Sequence, residues 1–156
     1  STGGGIHSNS TQIIVIESTI SKNIATSGAG IYSHVGNGGS LSVSKSLLEK
    51  NGDQNTENGG GIYCKNTVDI IQFVDPEVEI EICNITNSMF KRNKAIAPSV
   101  GHGGAISVYG SVILTIKDTY LYKNKADTRE NIYTEQQNAQ NRPILNLINI
   151  LIVIVF

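Results

Sequence analysis

The chain has 156 residues and a formal net charge of −1, with 16 glycines, three prolines and no tryptophan. That length suits one domain, and the near-neutral charge excludes bulk electrostatic attraction to nucleic acid or to an anionic membrane surface. Abundant glycine with scarce proline fits turns and stacked strands better than a helical enzyme.

Taken in order, the chain repeats one unit. The octapeptide SMFKRNKA at 88–95 has counterparts at 18–25 (STISKNIA), 46–53 (SLLEKNGD) and 119–126 (TYLYKNKA). Aligned on Asn23, Asn51, Asn93 and Asn124, the copies are 28, 42 and 31 residues apart, a period that marks a solenoid or propeller. Three residues before each Asn stands Ile20, Leu48, Phe90 or Leu121, and five before it Ser18, Ser46, Ser88 or Thr119. Apolar residues recur eight before (Val15, Val43, Ile85, Ile116) and ten before (Ile13, Leu41, Cys83, Leu114). The alternation at ten and eight predicts a half-buried strand, and the break before the plug at minus three predicts a bend. A second landmark, GGGI at 3–6, GAGI at 28–31, GGGI at 59–62 and GGAI at 103–106, opens a further short strand, with a degenerate copy ENIY at 130–133.

Strands that recur in one sense, without hairpin signals, pair in parallel with right-handed connections. The expected fold is all-β, a right-handed parallel β-helix of about four to five coils spaced ~4.8 Å apart. Gly30, Gly61 and Gly104 fall where successive coils crowd together, and the four Asn form a column whose amides can hydrogen-bond along the stack. The predicted boundaries are a β-helix over 1–133 with an insertion near 65–78, a polar Gln/Asn-rich linker over 134–143, and an apolar run over 144–156. That run is read either as a last strand or as a membrane anchor cut short. The chain starts in mid-coil, so it is expected to belong to a longer one.

GGAI at 103–106 together with FKRN at 90–93 resembles the paired repeats of chlamydial polymorphic outer membrane proteins, and more broadly the right-handed β-helices of the pectin-lyase-like superfamily. The first resemblance implies a secreted or cell-surface adhesin. The second admits an alternative, a fragment of a polysaccharide lyase or glycoside hydrolase. Gly101-His102-Gly103 matches one polygalacturonase tripeptide, but the Asn-Thr-Asp, Asp-Asp and Arg-Ile-Lys motifs do not accompany it. Glycoside cleavage needs two placed carboxylates, and Asp118 is the only acid of the fourth coil before Asp127. No catalytic set, cofactor or metal site is assigned. The acids Asp69, Asp75, Glu77, Glu79 and Glu81 are weighed as a Ca²⁺ site against a solvated strand edge, which they fit better.

Two outward columns are candidate sites. A cation precedes each Asn: Lys22, Lys50, Arg92 and Lys123. This stripe is read as binding a polyanion such as an acidic polysaccharide, or as a solvated corner. After the Ile of each Gly-rich turn come His7, Tyr32, Tyr63, Ser107 and Tyr133, of which Tyr32, Tyr63 and Tyr133 are candidates for stacking on sugar rings. The expected partner is a glycan or a cell-surface protein, with membrane contact through 144–156. His34 is expected in a solvated loop. Asn9 and Asn84 head glycosylation sequons. Cys64 and Cys83 fall on inward columns, as two buried thiols or as a disulfide spanning the interior.

Overall fold

The computed structural model describes residues 1–9, 11–35, 39–67, 82–136 and 143–153. Every regular element among them is a strand. The first coil holds β1 (Ile6–Asn9), β2 (Gln12–Ile16) and β3 (Thr19–Ser21), and the second β4 (Ile31–His34), β5 (Ser40–Ser44) and β6 (Leu47–Glu49). The third holds β7 (Ile62–Lys65), β8 (Ile82–Thr86), β9 (Met89–Lys91) and the two-residue β10 (Lys94–Ala95). The fourth holds β11 (Ile106–Tyr109), β12 (Ile113–Lys117), β13 (Tyr120–Tyr122) and β14 (Lys125–Ala126), and the fifth β15 (Ile132–Glu135), β16 (Ile144–Ile148) and β17 (Leu151–Val153).

These strands form three five-stranded sheets, β1-β4-β7-β11-β15, β2-β5-β8-β12-β16 and β3-β6-β9-β13-β17, with a small fourth sheet of β10 and β14. All the pairings are parallel. The chain is an all-β parallel β-helix.

The register follows the sequence columns. Ile31, Ile62 and Ile106 stand in one row of the first sheet, and Leu41, Cys83 and Leu114 in one row of the second. Leu48, Phe90 and Leu121 stack in the third. These side chains are almost wholly buried, and together they make one continuous core inside the coil. The period of two decides this: each strand has a wet face and a dry face, and a slip of one residue would turn the dry face out. Cys64 and Cys83 are both buried, and no disulfide joins them.

The glycines divide into two tasks. Gly28, Gly59 and Gly103 take a left-handed turn, with φ of +60°, +56° and +61°, and a Cβ on them would also clash with the carbonyl oxygens of Ile31, Ile62 and Ile106. Gly30, Gly61 and Gly104 answer to crowding alone. A Cβ on Gly61 would lie 2.5 Å from the Ala105 carbonyl oxygen and 2.9 Å from the Phe90 ring.

The C-terminal apolar run extends the second and third sheets, β16 on β12 and β17 on β13. Leu145 continues the Leu114 row and Leu147 the Ile116 row, yet they are 40% and 47% exposed, with Ile152 at 43%. Among the described residues no strand lies beyond them to close the coil. Among the described residues no helix is long and apolar enough to cross a membrane. Strand β15 runs to Glu135, two residues past the expected boundary at 133. Most of the 65–78 insertion, the five acids weighed for Ca²⁺, and linker residues 137–142 lie outside the described residues.

The expected outcome for Gly61→Ala is a loss of about 2 kcal/mol or more, because backbone and not a flexible side-chain tip occupies the space. A urea unfolding curve measures it. A neutral result would mean that the coils are not pressed together at this point.

Candidate functional site

The corner after the third sheet is built on the Asn column. Asn23 Nδ2 donates to Asn51 Oδ1 (3.0 Å), Asn51 Nδ2 to Asn93 Oδ1 (3.1 Å), and Asn93 Nδ2 to Asn124 Oδ1 (3.0 Å). Each acceptor oxygen also takes the backbone N–H of the Asn one coil earlier, at 3.0–3.1 Å. The second amide hydrogen of Asn51, Asn93 and Asn124 goes to the carbonyl of Ile20, Leu48 and Phe90. The ladder ends on Asn131, whose Oδ1 accepts from Asn124 Nδ2. Asn51 and Asn93 are fully buried with each amide group used twice, so the column is a satisfied polar seam and not a reactive site.

A parallel seam runs along the corner between the second and third sheets. Ser18, Ser46, Ser88 and Thr119 each donate to the carbonyl two residues back, while Ser46, Ser88 and Thr119 accept the backbone N–H of the same column one coil earlier.

Both corners turn through a single left-handed residue. At the first stand Glu17, Lys45, Asn87, Asp118 and Asn149, with φ of 47–51°. At the second stand Lys22, Lys50, Arg92 and Lys123, with φ of 52–59°. In the turns at Glu17, Lys22, Lys45, Lys50, Asn87, Arg92 and Asp118 the N–H stays in the coil-to-coil ladder, as with Lys50 to the Lys91 carbonyl and Arg92 to the Tyr122 carbonyl. This conformation costs an L-residue about 1 kcal/mol and favours Gly or Asn. The two corners answer it differently. The first mixes its charges and pairs them: Lys45 bridges Glu17 at 3.1 Å, and Asn149 donates to Asp118 at 2.9 Å. A shallow groove of about 500 Å³ follows it, lined by Glu17, Lys45, Ser46, Ser88 and Asp118 among others. The second corner carries a cation on every one of these four coils, and none of the four forms an ion pair among the described residues.

More positive charge lies beside it than the stripe alone supplies. Strands β10 and β14 set Lys94 directly opposite Lys125, both exposed. Like charges in register at ~4.8 Å repel by roughly 1 kcal/mol in water before salt screening. Lys91 adds a third cation beside the stripe, in register with Tyr122 on one side and Glu49 on the other. The Tyr120 and Tyr122 rings stack at 5.7 Å and 14°, and Lys123 Nζ lies 5.1 Å from the Tyr122 ring centre. Residue-by-residue reading of the Asn columns missed Lys94 and Lys125. The signal was present as a second Lys one residue after Asn93 and Asn124.

The other aromatic column does not make a flat platform. Tyr63 is only 9% exposed and meets Tyr32 edge-on at 66°. Burial pushes both phenols above their ordinary pKa, Tyr63 strongly so. Ser107 separates Tyr63 from Tyr133 in the register, and Tyr133 stacks instead on His102 at 4.3 Å and 17°. His102 also bonds Thr128 and sits in the bridge row of Thr2, Ser27, Asn58 and Thr128, which is a structural use of the Gly-His-Gly tripeptide. His34 closes β4 instead of hanging in a loop. Its Nδ1 bonds Asn9 (2.7 Å) and its Nε2 bonds Thr67 (3.0 Å), while desolvation and then the Lys65 charge lower its pKa.

Comparison of the chain with protein-family models, curated proteins and solved structures finds no match.

Two outcomes follow from the contrast between seam and stripe. Asn93→Ala should cost about 3–5 kcal/mol, since it strands the N–H groups of Asn51 and the Leu48 carbonyl in the interior. Lys50→Asn should leave the thermal midpoint unchanged or raised, because Asn tolerates the left-handed turn better. A clear drop in the midpoint of Lys50→Asn would mean that the cation supports the fold.

Proposed function

We propose that this β-helix is a non-catalytic surface module that binds an acidic polysaccharide along its cationic corner, within a secreted or cell-surface protein. One observation carries the reading. The stripe of Lys22, Lys50, Arg92 and Lys123 occupies a turn whose backbone favours Gly or Asn, where the neighbouring left-handed corner mixes and pairs its charges. Fold physics supplies no reason for four cations there, and a polyanionic ligand does. A rigid solenoid suits the task, since it repeats one binding group at the coil spacing over a long edge.

The resemblance of GGAI at 103–106 and FKRN at 90–93 to the repeats of chlamydial polymorphic outer membrane proteins supports the adhesive side of this reading. The enzyme reading draws on the pectin-lyase-like resemblance alone.

Changing Lys22, Lys50 and Lys123 together to Glu should weaken binding to an acidic glycan array while leaving the circular dichroism spectrum unchanged. Binding by the parent chain should fall as salt is raised, since the stripe is exposed and screened. Unchanged binding by the triple variant would remove the stripe from the function.

A further inference from the structure

We infer that the third and fourth coils form one discrete site for an anionic sugar chain, built from Lys91, Arg92, Lys94, Lys123 and Lys125, with the chain laid across the coils. The inference rests on the polyanion reading and confines it to one end of the stripe.

Charge along the corner is uneven. Residues 89–95 hold Lys91, Arg92 and Lys94 with no acid, and 120–126 hold Lys123 and Lys125 with no acid. The matching segments of the first two coils are weaker: 19–25 hold Lys22 alone, and 47–53 hold Lys50 beside Glu49 and Asp53. Five cations thus lie on two adjacent coils, and the two coils before them carry almost no net charge.

Two local arrangements favour a ligand over a solvated corner. The first is the retained opposition of Lys94 and Lys125 in the β10–β14 ladder, which weakens the fold and raises the local field. The second is the order imposed on Lys123. Its ammonium group lies by the Tyr122 ring, which is stacked on Tyr120, so Lys123 is half-buried where Lys22 and Lys50 are exposed. A cation held in place loses less freedom on binding. The nearby acids are engaged elsewhere or unpaired. Asp127 Oδ2 accepts the N–H groups of Ala97 (3.2 Å) and Gly101 (2.8 Å), and Asp53 Oδ1 accepts that of Asn55 (2.8 Å). Glu49 stands in register with Lys91 without forming an ion pair.

The shape of the cluster sets the class of ligand. Cations spread over several columns and two coils exceed what one compact anion spans, so the anionic groups must be repeated along a chain. Arg92 presents a planar fork that takes a carboxylate or a sulfate through two bonds. The shared chemistry is therefore a saccharide chain bearing carboxylates or sulfates, and the tyrosine pair beside Lys123 offers ring edges and hydroxyls to its sugars.

The test is calorimetric titration of the folded chain with an oligogalacturonate and with a sulfated oligosaccharide of equal length, using two variants matched for charge removed. K94Q/K125Q should lose about tenfold or more in affinity and melt no lower than the parent, while K22Q/K50Q should lose about twofold or less. Preference for one oligosaccharide identifies the anionic group. Equal losses in the two variants would overturn the localised site and leave the stripe standing. No saccharide binding by the parent would overturn both. Tighter binding of a single-stranded DNA oligonucleotide than of either saccharide would overturn the ligand class.

Discussion

The structure depends on stacking like on like. Once the backbone coils with a fixed rise, every side chain sits on its own counterpart one coil away, and each column must be a residue type that tolerates itself as neighbour. Apolar columns do so by packing, and the core of Ile31, Ile62 and Ile106 with Leu48, Phe90 and Leu121 is the result. A buried polar column is far more demanding, and carboxamide is one of the few groups that meets the demand. It carries donors and acceptor on one planar head, so each Asn passes a hydrogen bond to the next and still closes the backbone beside it. The Ser and Thr column solves a smaller version of the problem, with one hydroxyl hydrogen for its own strand and lone pairs for the coil before.

Charge is the residue property that stacks worst, which makes the charged columns informative. At the corner of Glu17, Lys45, Asn87, Asp118 and Asn149 the sequence relieves the stack by alternating sign or by substituting amides. At the corner of Lys22, Lys50, Arg92 and Lys123 it does neither, and Lys94 against Lys125 compounds the repulsion. A few tenths to about 1 kcal/mol per contact is tolerable in a fold held by one continuous buried core, provided that salt screens it. An incoming polyanion would relieve the same repulsion, so under the proposed function the feature that weakens the free protein would strengthen the complex.

Columns were legible in the sequence because they repeat, and geometry within a column was not. The rows of Cys64 with Ser33 and Val108, and of Cys83 with Leu41 and Leu114, align from the sequence alone, since register is dictated by which face must be dry. What a pair of neighbours does on the wet face depends on rotamers. Tyr32 and Tyr63 are adjacent in register as the sequence implies, but they meet edge-on, and a list of column residues does not contain that angle. The left-handed corners were hidden for another reason: the usual markers are Gly and Asn, and here seven of the nine turns are taken by Lys, Arg, Glu or Asp, with Asn only at Asn87 and Asn149.

The apolar C-terminal run shows where a rule was available and a stronger signal obscured it. Uncharged, β-branched residues in sequence invite comparison with a membrane segment. Yet Leu145, Leu147 and Ile152 keep the same relative spacing as Leu114, Ile116 and Leu121, and the structure sets them in those rows. What this copy lacks is the polar half of the repeat, with Ile150 in place of the Ser or Thr and Val155 in place of the Asn. Apolar spacing alone is therefore enough to seat a strand on the stack, while the seams that lock one coil to the next require the polar columns as well. Strength along the solenoid should then follow the polar columns, greatest through Asn51 and Asn93, where the ladder continues on both sides, and least at the coil that carries only the apolar ones.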